Sequence, residues 1–176
     1  VAIAAMAALM EPGVSHVLIV DWDVHHGNGT QDIFYDSPRA LFFSTHQFPY
    51  YPGSGGLREV GAGAGQGYTI NVPLPAGVGD RGFARVYGEL LTAAAERFRP
   101  DLILISAGYD AHWDDPLAGL RLSLGGYWGL AQTVVALAEM SERLGVACFF
   151  DEKTRKVTTG DGKEVTALTY GTLEKS

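Results

Sequence analysis

The stretch Asp21-Trp22-Asp23-Val24-His25-His26-Gly27-Asn28-Gly29-Thr30 decides the fold, because it directly follows an apolar run from His16 to Val20. That run is short and rich in β-branched residues, which predicts a buried strand. Side chains alternate between the two faces of an extended strand. If the strand geometry continues beyond the run, Asp21, Asp23 and His25 project from the same face.

Two carboxylates and an imidazole at the end of a buried strand allow two interpretations. Buried carboxylates without partners are costly, so a bound cation would favour this arrangement. Oxygen and nitrogen ligands without sulfur suit Zn²⁺, with Fe²⁺ as the second choice. An ion-paired turn with a capping aspartate explains an isolated D-x-D-x-H pattern equally well. The His-Gly-Asn-Gly-Thr sequence that follows, and a second site further along the chain, favour the metal.

Apolar strands alternate with helices along the chain, which predicts an α/β fold with a largely parallel sheet. In such sheets, sites form at the carboxyl ends of the strands. We expect Pro73 to end the third strand. The predicted strands are His16–Val20, Ala40–Ser44, Tyr68–Val72, Asp101–Ser106 and Gly145–Phe150, and the predicted helices are Val1–Met10, Thr30–Tyr35, Asp80–Phe98 and Gly126–Leu144.

The composition sets limits on compartment and partners. The chain has 176 residues, which suits one domain, and 47% of them are hydrophobic. A net charge of −7 gives no basic field, so we expect no direct nucleic-acid binding. The single cysteine, Cys148, excludes an internal disulfide and suits a reducing compartment, so we expect a cytoplasmic location.

The two ends of the chain differ in character from its middle. Val1 to Met10 is apolar but too short to span a membrane and has no basic flank, so we expect no membrane anchor. The chain begins partway through this predicted helix and without Met, so we expect a fragment. Residues 151–176 contain a Gly160-Asp161-Gly162-Lys163 turn between short strands, which predicts a small β element or a disordered tail beyond a domain of residues 1–150.

Asp110 supplies a second carboxylate at another strand end. It follows the apolar strand Asp101–Ser106 through Gly108, whose small size allows close backbone approach. Asp110 can therefore meet Asp23 and His25 in a three-ligand site with positions open for water and substrate, as a catalytic metal requires. On its own, such an aspartate is more often a helix cap.

Several motifs together identify a family resemblance. They are Val20–Thr30, Ser44–His46, Tyr51–Gly55, Asn71–Leu74, Ser106–His112 and Asp114–Leu120. In this order and spacing, they resemble the histone deacetylase superfamily, including the bacterial deacetylase-like amidohydrolases, acetoin-utilisation proteins and acetylpolyamine amidohydrolases. Asn28 and the sequence Ser106–Asp110 are more similar to the class II and bacterial branches.

The resemblance implies an open, largely parallel α/β sheet with helices on both faces, as in arginases and deacetylases, here incomplete. It implies zinc on Asp23, His25 and Asp110. Tyr51 matches an aromatic wall of the acyl-lysine tunnel, although a packed loop aromatic is the alternative, and Gly108 is assigned to substrate binding. The resemblance also implies a potassium ion held partly through backbone carbonyls by Asp21, Asp23, His25 and Ser44, and a second monovalent cation near Phe34, Ser37, Ala40 and Tyr68.

Two departures from the family pattern concern catalysis. The family's tandem-histidine general base precedes the region that this sequence covers, and His25-His26 is not that tandem. Asp21 and Asn28, which support the tandem in the family, are present without it. The family also places a Glu-Gly-Gly-Tyr motif, whose tyrosine polarises the substrate carbonyl, where Asp151-Glu152-Lys153-Thr154 stands here. Tyr127 is not a convincing replacement, and we expect it to pack within its helix.

The sequence therefore predicts a zinc-dependent hydrolase that removes acetyl groups from acetyl-lysine or acetylated polyamine-type amines. This chain would carry the metal and tunnel half of the site. Three alternatives stay open: an arginase-like metallohydrolase, which a metal count would separate; a non-catalytic metal- or acyl-lysine-binding remnant; and a doubly wound domain with an ion-pair network, which absence of metal would favour. The substrate and oligomeric state are not determined by the sequence.

Overall fold

The structure is a computed structural model that describes residues 1–139 in full and the backbone of residues 148–151, 156–159 and 164–165. Its helices are α1 (Ala2–Ala8), α2 (Asn28–Phe34), α3 (Asp80–Arg85), α4 (Thr92–Phe98) and α5 (Leu124–Glu139), with a π-helical segment, Val86–Leu91, joining α3 to α4. Its strands are β1 (Val17–Asp21), β2 (Ala40–Gln47), β3 (Thr69–Leu74), β4 (Leu102–Ser106), β5 (Cys148–Asp151), β6 (Lys156–Thr159) and β7 (Glu164–Val165).

These strands form one sheet in the order β3-β2-β1-β4-β5-β6-β7. The strands from β3 to β5 are parallel, whereas β6 pairs antiparallel with both β5 and β7. This confirms the open, largely parallel α/β sheet that the sequence predicts. Because β1 is an inner strand between β2 and β4, its residues are buried along its whole length.

Alternating side chains of β1 pack against helices on opposite faces of the sheet. Leu18 belongs to a core cluster that includes Phe83 of α3. Ile19 belongs to a second cluster that includes Ala5 of α1 and Phe34 of α2. Helices therefore lie on both faces, as predicted. The near-continuous apolar character of the strand follows from this, because neither face of β1 meets solvent.

The register of the parallel strands sets the position of the site. Asp21, the last residue of β1, pairs with Ser44 of β2 and with Ser106 of β4. The segments that follow β1 and β4 therefore leave the sheet side by side at its carboxyl edge.

The prediction that Pro73 ends the third strand is wrong. Pro73 pairs with His46, and β3 continues to Leu74. β3 lies at the edge of the sheet, so one side of this strand needs no hydrogen-bond donor. Helix α2 begins two residues earlier than predicted, at Asn28, and α5 begins at Leu124.

Some predictions fall outside the described residues. These are the end of the last helix beyond Glu139, the segment 145–147 before β5, the side chain of Cys148 and the turn at 160–163. The short strands on either side of that turn do pair antiparallel. The division of the chain at residue 150 stays a prediction.

No helix in the described ranges is long and apolar enough to cross a membrane.

Candidate metal centre

The chain turns sharply after β1, and carboxylates supply its hydrogen bonds. Asp21 is buried, and its Oδ1 accepts the backbone N–H of Asp23 at 3.1 Å. Asp110 Oδ1 accepts the N–H of Val24 at 2.8 Å, and Asp23 Oδ1 accepts the N–H of His25 at 2.7 Å. Three successive backbone donors are therefore satisfied by acidic side chains rather than by a neighbouring strand.

The same turn brings the three predicted ligands together. His25 Nδ1 lies 3.0 Å from Asp23 Oδ1 and 3.1 Å from Asp110 Oδ2. One potential ligand atom from each of Asp23, His25 and Asp110 lies within 4.8 Å of the other two. All three side chains are partly exposed, so solvent can reach the site. The arrangement could hold a metal ion and leave positions open for other ligands.

Gly108 makes this approach possible. A Cβ atom at position 108 would lie 2.7 Å from both Cα and Cβ of Asp23 and would overlap its Oδ2. Carbon atoms ordinarily pack at about 3.5–4.0 Å. Gly108, which was assigned to substrate binding, therefore has a clear steric role beneath the Asp23 carboxylate.

The electrostatics of the site favour a cation. Burial raises the pKa of Asp23, and the nearby negative charge of Asp110 raises it further, although hydrogen bonds from His25 act in the opposite direction. Two carboxylates held this close repel each other when both are ionised. A bound cation would relieve that repulsion, and a donor set of two oxygens and one nitrogen without sulfur suits zinc.

Two tyrosines of the loop after β2 cover the imidazole. The ring of Tyr50 stacks on His25 with centroids 5.4 Å apart and planes at 25°. Tyr51 meets the same ring edge-on at 6.1 Å and is 77% exposed. The Tyr50 hydroxyl donates to the carbonyl of Leu117 at 3.0 Å, which links this loop to the loop after Asp110. Sequence reasoning selected Tyr51 and missed the ring that stacks most directly on His25.

The other predicted site residues occupy varied positions. Asn28 is exposed at the start of α2. The Ser44 hydroxyl hydrogen-bonds to His46 Nδ1 at 2.9 Å. At the expected second cation site, the Phe34 carbonyl accepts the N–H of Ser37. The Tyr68 carbonyl accepts the N–H of Phe42, and Ala40 is the first residue of β2. Nothing in this geometry supports potassium or Fe²⁺, and both stay predictions.

Tyr127 lies in α5 and packs in the core. Its ring contacts Trp22 at 6.5 Å and Tyr109 at 5.2 Å between centroids. Burial raises the pKa of the Tyr127 hydroxyl, and the charge of Asp110 raises it further. These ring contacts agree with the packing role that the sequence predicts.

Comparison with known proteins gives consistent results. Residues 1–149 match the histone deacetylase domain family. The chain is 48% identical over 150 residues to histone deacetylase 10, chloroplastic, of Oryza sativa subsp. japonica, covering 85% of this chain and 33% of that protein. It is 40% identical over 142 residues to a histone deacetylase-like amidohydrolase of Pseudomonas aeruginosa, covering 79% of this chain and 37% of that protein.

Solved structures show the same similarity. The structure of the histone deacetylase Clr3 superimposes with a TM-score of 0.76 and 36% sequence identity, covering 80% of this chain and 25% of that chain. The chain thus spans about a third of the length of the rice and Pseudomonas relatives.

Proposed function

This chain belongs to the histone deacetylase family, and from that premise we propose that it contributes the metal and substrate-binding part of a zinc-dependent deacetylase. Its substrates would be acetyl-lysine or acetylated polyamine-type amines. The observation that carries the proposal is the convergence of Asp23, His25 and Asp110 at the carboxyl edge of the sheet, with ligand atoms within 4.8 Å of one another.

Asp23, His25 and Asp110 would hold the zinc ion. When bound, zinc supplies a Lewis acid that polarises the amide carbonyl of the substrate. Gly108 lets Asp23 approach, and the buried Asp21 carboxylate supports the turn by accepting the Asp23 N–H. Tyr50 and Tyr51 would pack along the aliphatic part of an acylated amine and exclude water from it.

The family's general base and oxyanion tyrosine belong to motifs that the printed sequence does not contain. The proposal for this chain therefore concerns metal and substrate binding, and turnover requires a base and a donor in addition. A cytoplasmic location and the absence of nucleic-acid binding stay predictions from composition.

Elemental analysis of the purified chain tests the proposal. We expect about one zinc per chain in the wild type and none in His25→Ala. His16→Ala is the matched control, because His16 stacks edge-on against Phe98 rather than lying in the site. Circular dichroism must show that each variant is folded. A folded wild-type chain that takes up no zinc would contradict the proposal.

A deacetylation assay separates binding from catalysis. Turnover of an acetyl-lysine peptide that is abolished by a hydroxamate chelator and by Asp110→Asn would show a complete enzyme. Zinc and peptide binding without turnover would instead identify a metal- and acyl-lysine-binding unit.

Among the described residues, Asp23, His25 and Asp110 form the one cluster with metal-ligand spacing. About one metal per chain would therefore separate this site from a binuclear, arginase-like cluster.

A further inference from the structure

A continuous polar network lies beneath the loop that carries Tyr50 and Tyr51. Ser54 Oγ and His26 Nδ1 are 2.8 Å apart, and His26 Nε2 lies 3.0 Å from Gln31 Oε1. Gln31 Nε2 donates to Glu59 Oε2 at 2.7 Å. His26 and Gln31 are buried. The network therefore links the segment after β1 to two separate points in the loop.

The Glu59 carboxylate fixes the direction of every bond in this network. An ionised carboxylate only accepts hydrogen bonds, so the Gln31 amide must present its NH₂ group to Glu59. Gln31 Oε1 then faces His26 and also accepts from Asn71 Nδ2 at 2.7 Å. His26 must consequently carry its proton on Nε2 and accept from the Ser54 hydroxyl at Nδ1. If the Gln31 amide or the His26 tautomer alone were reversed, two donors or two acceptors would face each other at one of these bonds.

Glu59 also binds the backbone of its own loop. Its Oε1 accepts the N–H groups of Gly55 and Gly56 at 2.9 and 2.8 Å. Partial burial opposes ionisation, but hydrogen bonds from Gln31, Gly56 and Gly55 lower the pKa of Glu59 overall. The carboxylate is therefore ionised at neutral pH and holds the Ser54–Gly56 turn closed.

Gly55 leaves this turn little freedom to rearrange. Its φ is +90°, and a Cβ at this position would overlap the rings of His46 and His26. His46 donates from Nε2 to the Gly55 carbonyl at 2.9 Å. The turn is thus held by Glu59 on one side and by His46 on the other. Its first residue, Ser54, is four residues along the chain from Tyr50, whose ring stacks on His25.

We propose that Glu59 and Gln31 are positioning residues that hold Tyr50 and Tyr51 against the His25 imidazole. Their side chains hydrogen-bond to each other, to His26, to Asn71 and to the backbone of the Ser54–Gly56 turn. They would act by closing the turn at Ser54–Gly56, from which the chain leads back to the two tyrosines. The ring placement stands on the geometry alone, whereas its consequence for substrate binding rests on the proposed function.

A reciprocal exchange of the two side chains tests this. Glu59→Gln places two amide groups in contact, and Gln31→Glu places two carboxylates in contact. The double variant Gln31→Glu/Glu59→Gln restores a donor and an acceptor at each bond and keeps the net charge. A role that depended only on side-chain volume would not require this restoration.

Nuclear magnetic resonance of the full chain gives two readouts that need no catalysis. In each single variant we expect amide exchange at Gly55 and Gly56 to accelerate about 10- to 100-fold, and the cross-relaxation between the rings of His25 and Tyr50 to disappear. Exchange at Ile19 in β1 should stay at the wild-type rate. The double variant should recover both signals.

Glu89→Gln is the matched control, because it removes a carboxylate that is paired with Arg85 on the exposed surface. It should change neither readout. Single variants that keep the ring contact would overturn the proposal, as would a folded double variant that fails to recover it. If a single variant does not fold, the recovery of fold and ring contact in the double variant decides the question.

Binding of an acetyl-lysine peptide to the zinc-loaded chain adds the functional consequence. We expect weaker peptide binding in both single variants and recovery in the double variant, with zinc content unchanged throughout. A wild-type chain that binds no peptide would count against the proposed function, while the ring contact would still decide whether Glu59 and Gln31 position the tyrosines.

Discussion

Replacing Gly108 with Ala should displace a metal ligand through a single methyl group. The new Cβ would lie 2.7 Å from Cα and Cβ of Asp23, where carbon atoms need about 3.5–4.0 Å. Position 108 does not have a left-handed backbone. Ala can therefore adopt the local conformation, and the whole effect is a steric collision with Asp23.

The expected size of the effect follows from that collision. Relieving it requires Asp23 or the segment after β4 to shift by about 1 Å, and overpacking of this kind costs about 1–3 kcal/mol in the free energy of unfolding. Changes that disturb the orientation of a metal ligand typically weaken metal affinity by about 10–100-fold. Urea denaturation measures the first quantity, and competition with a chromophoric zinc chelator measures the second.

Gly129→Ala is the control for the same chemical change. Position 129 lies in α5, and a Cβ there would have no heavy atom within 4 Å. Replacing a helical glycine in open space should stabilise the chain by up to about 1 kcal/mol and leave zinc affinity unchanged. If Gly108→Ala binds zinc as tightly as the wild type and unfolds at the same urea concentration, the steric reasoning is wrong.

Three further outcomes are expected. Burial lowers the pKa of His46 from 6.5 to about 4, so the unfolded chain takes up this proton at a higher pH than the folded chain does. The contribution of His46 to the free energy of unfolding is therefore complete above about pH 6.5 and falls by about 3 kcal/mol as the pH drops to 4. Urea titrations across this range should show a shallower pH dependence for His46→Gln than for the wild type. Asp21→Asn keeps an oxygen that can accept the Asp23 N–H, so zinc analysis should show metal still bound in the folded variant, within about 100-fold of wild-type affinity. Tyr50→Phe removes the hydrogen bond to Leu117 and keeps the ring, so urea unfolding should show a loss of about 1 kcal/mol with zinc content unchanged.

The sequence was sufficient to predict the elements that depend on local pattern. Short apolar runs such as Ala40–Ser44 can be buried only between other elements of the fold, and the structure contains a strand at each predicted run. The meeting of Asp23 and Asp110 was also predictable, because parallel strands present their carboxyl ends at the same edge. The prediction that the third strand ends at Pro73 failed because it depends on the order of the strands. Pro73 is tolerated because β3 is an edge strand, and strand order is not visible in the local sequence.

The loop after β2 shows what local pattern cannot supply. Tyr50 and Tyr51 are adjacent in an irregular segment without periodicity, so the chain gives no sign of which ring stacks on His25. Gln31 and Glu59 are 28 residues apart, and their hydrogen bond depends on a loop path set by tertiary contacts. A long, glycine-rich loop in a compact domain is often functional, but length and glycine content do not identify the carboxylate that holds this loop.

The hydrogen bonds of the turn after β1 explain which variants can test the metal site cleanly. The backbone N–H groups of Asp23, Val24 and His25 are bound by the carboxylates of Asp21, Asp110 and Asp23. Replacing Asp23 or Asp110 with Ala would remove a potential ligand and also leave a backbone donor of the turn unsatisfied, which costs about 1–3 kcal/mol when the donor is buried. Loss of metal in such a variant could then reflect a rearranged turn. His25→Ala leaves all three of those hydrogen bonds possible, because the His25 backbone donates while its imidazole faces the carboxylates. Zinc loss in His25→Ala therefore reports on ligation, whereas at the aspartates the isosteric Asn is the more informative change.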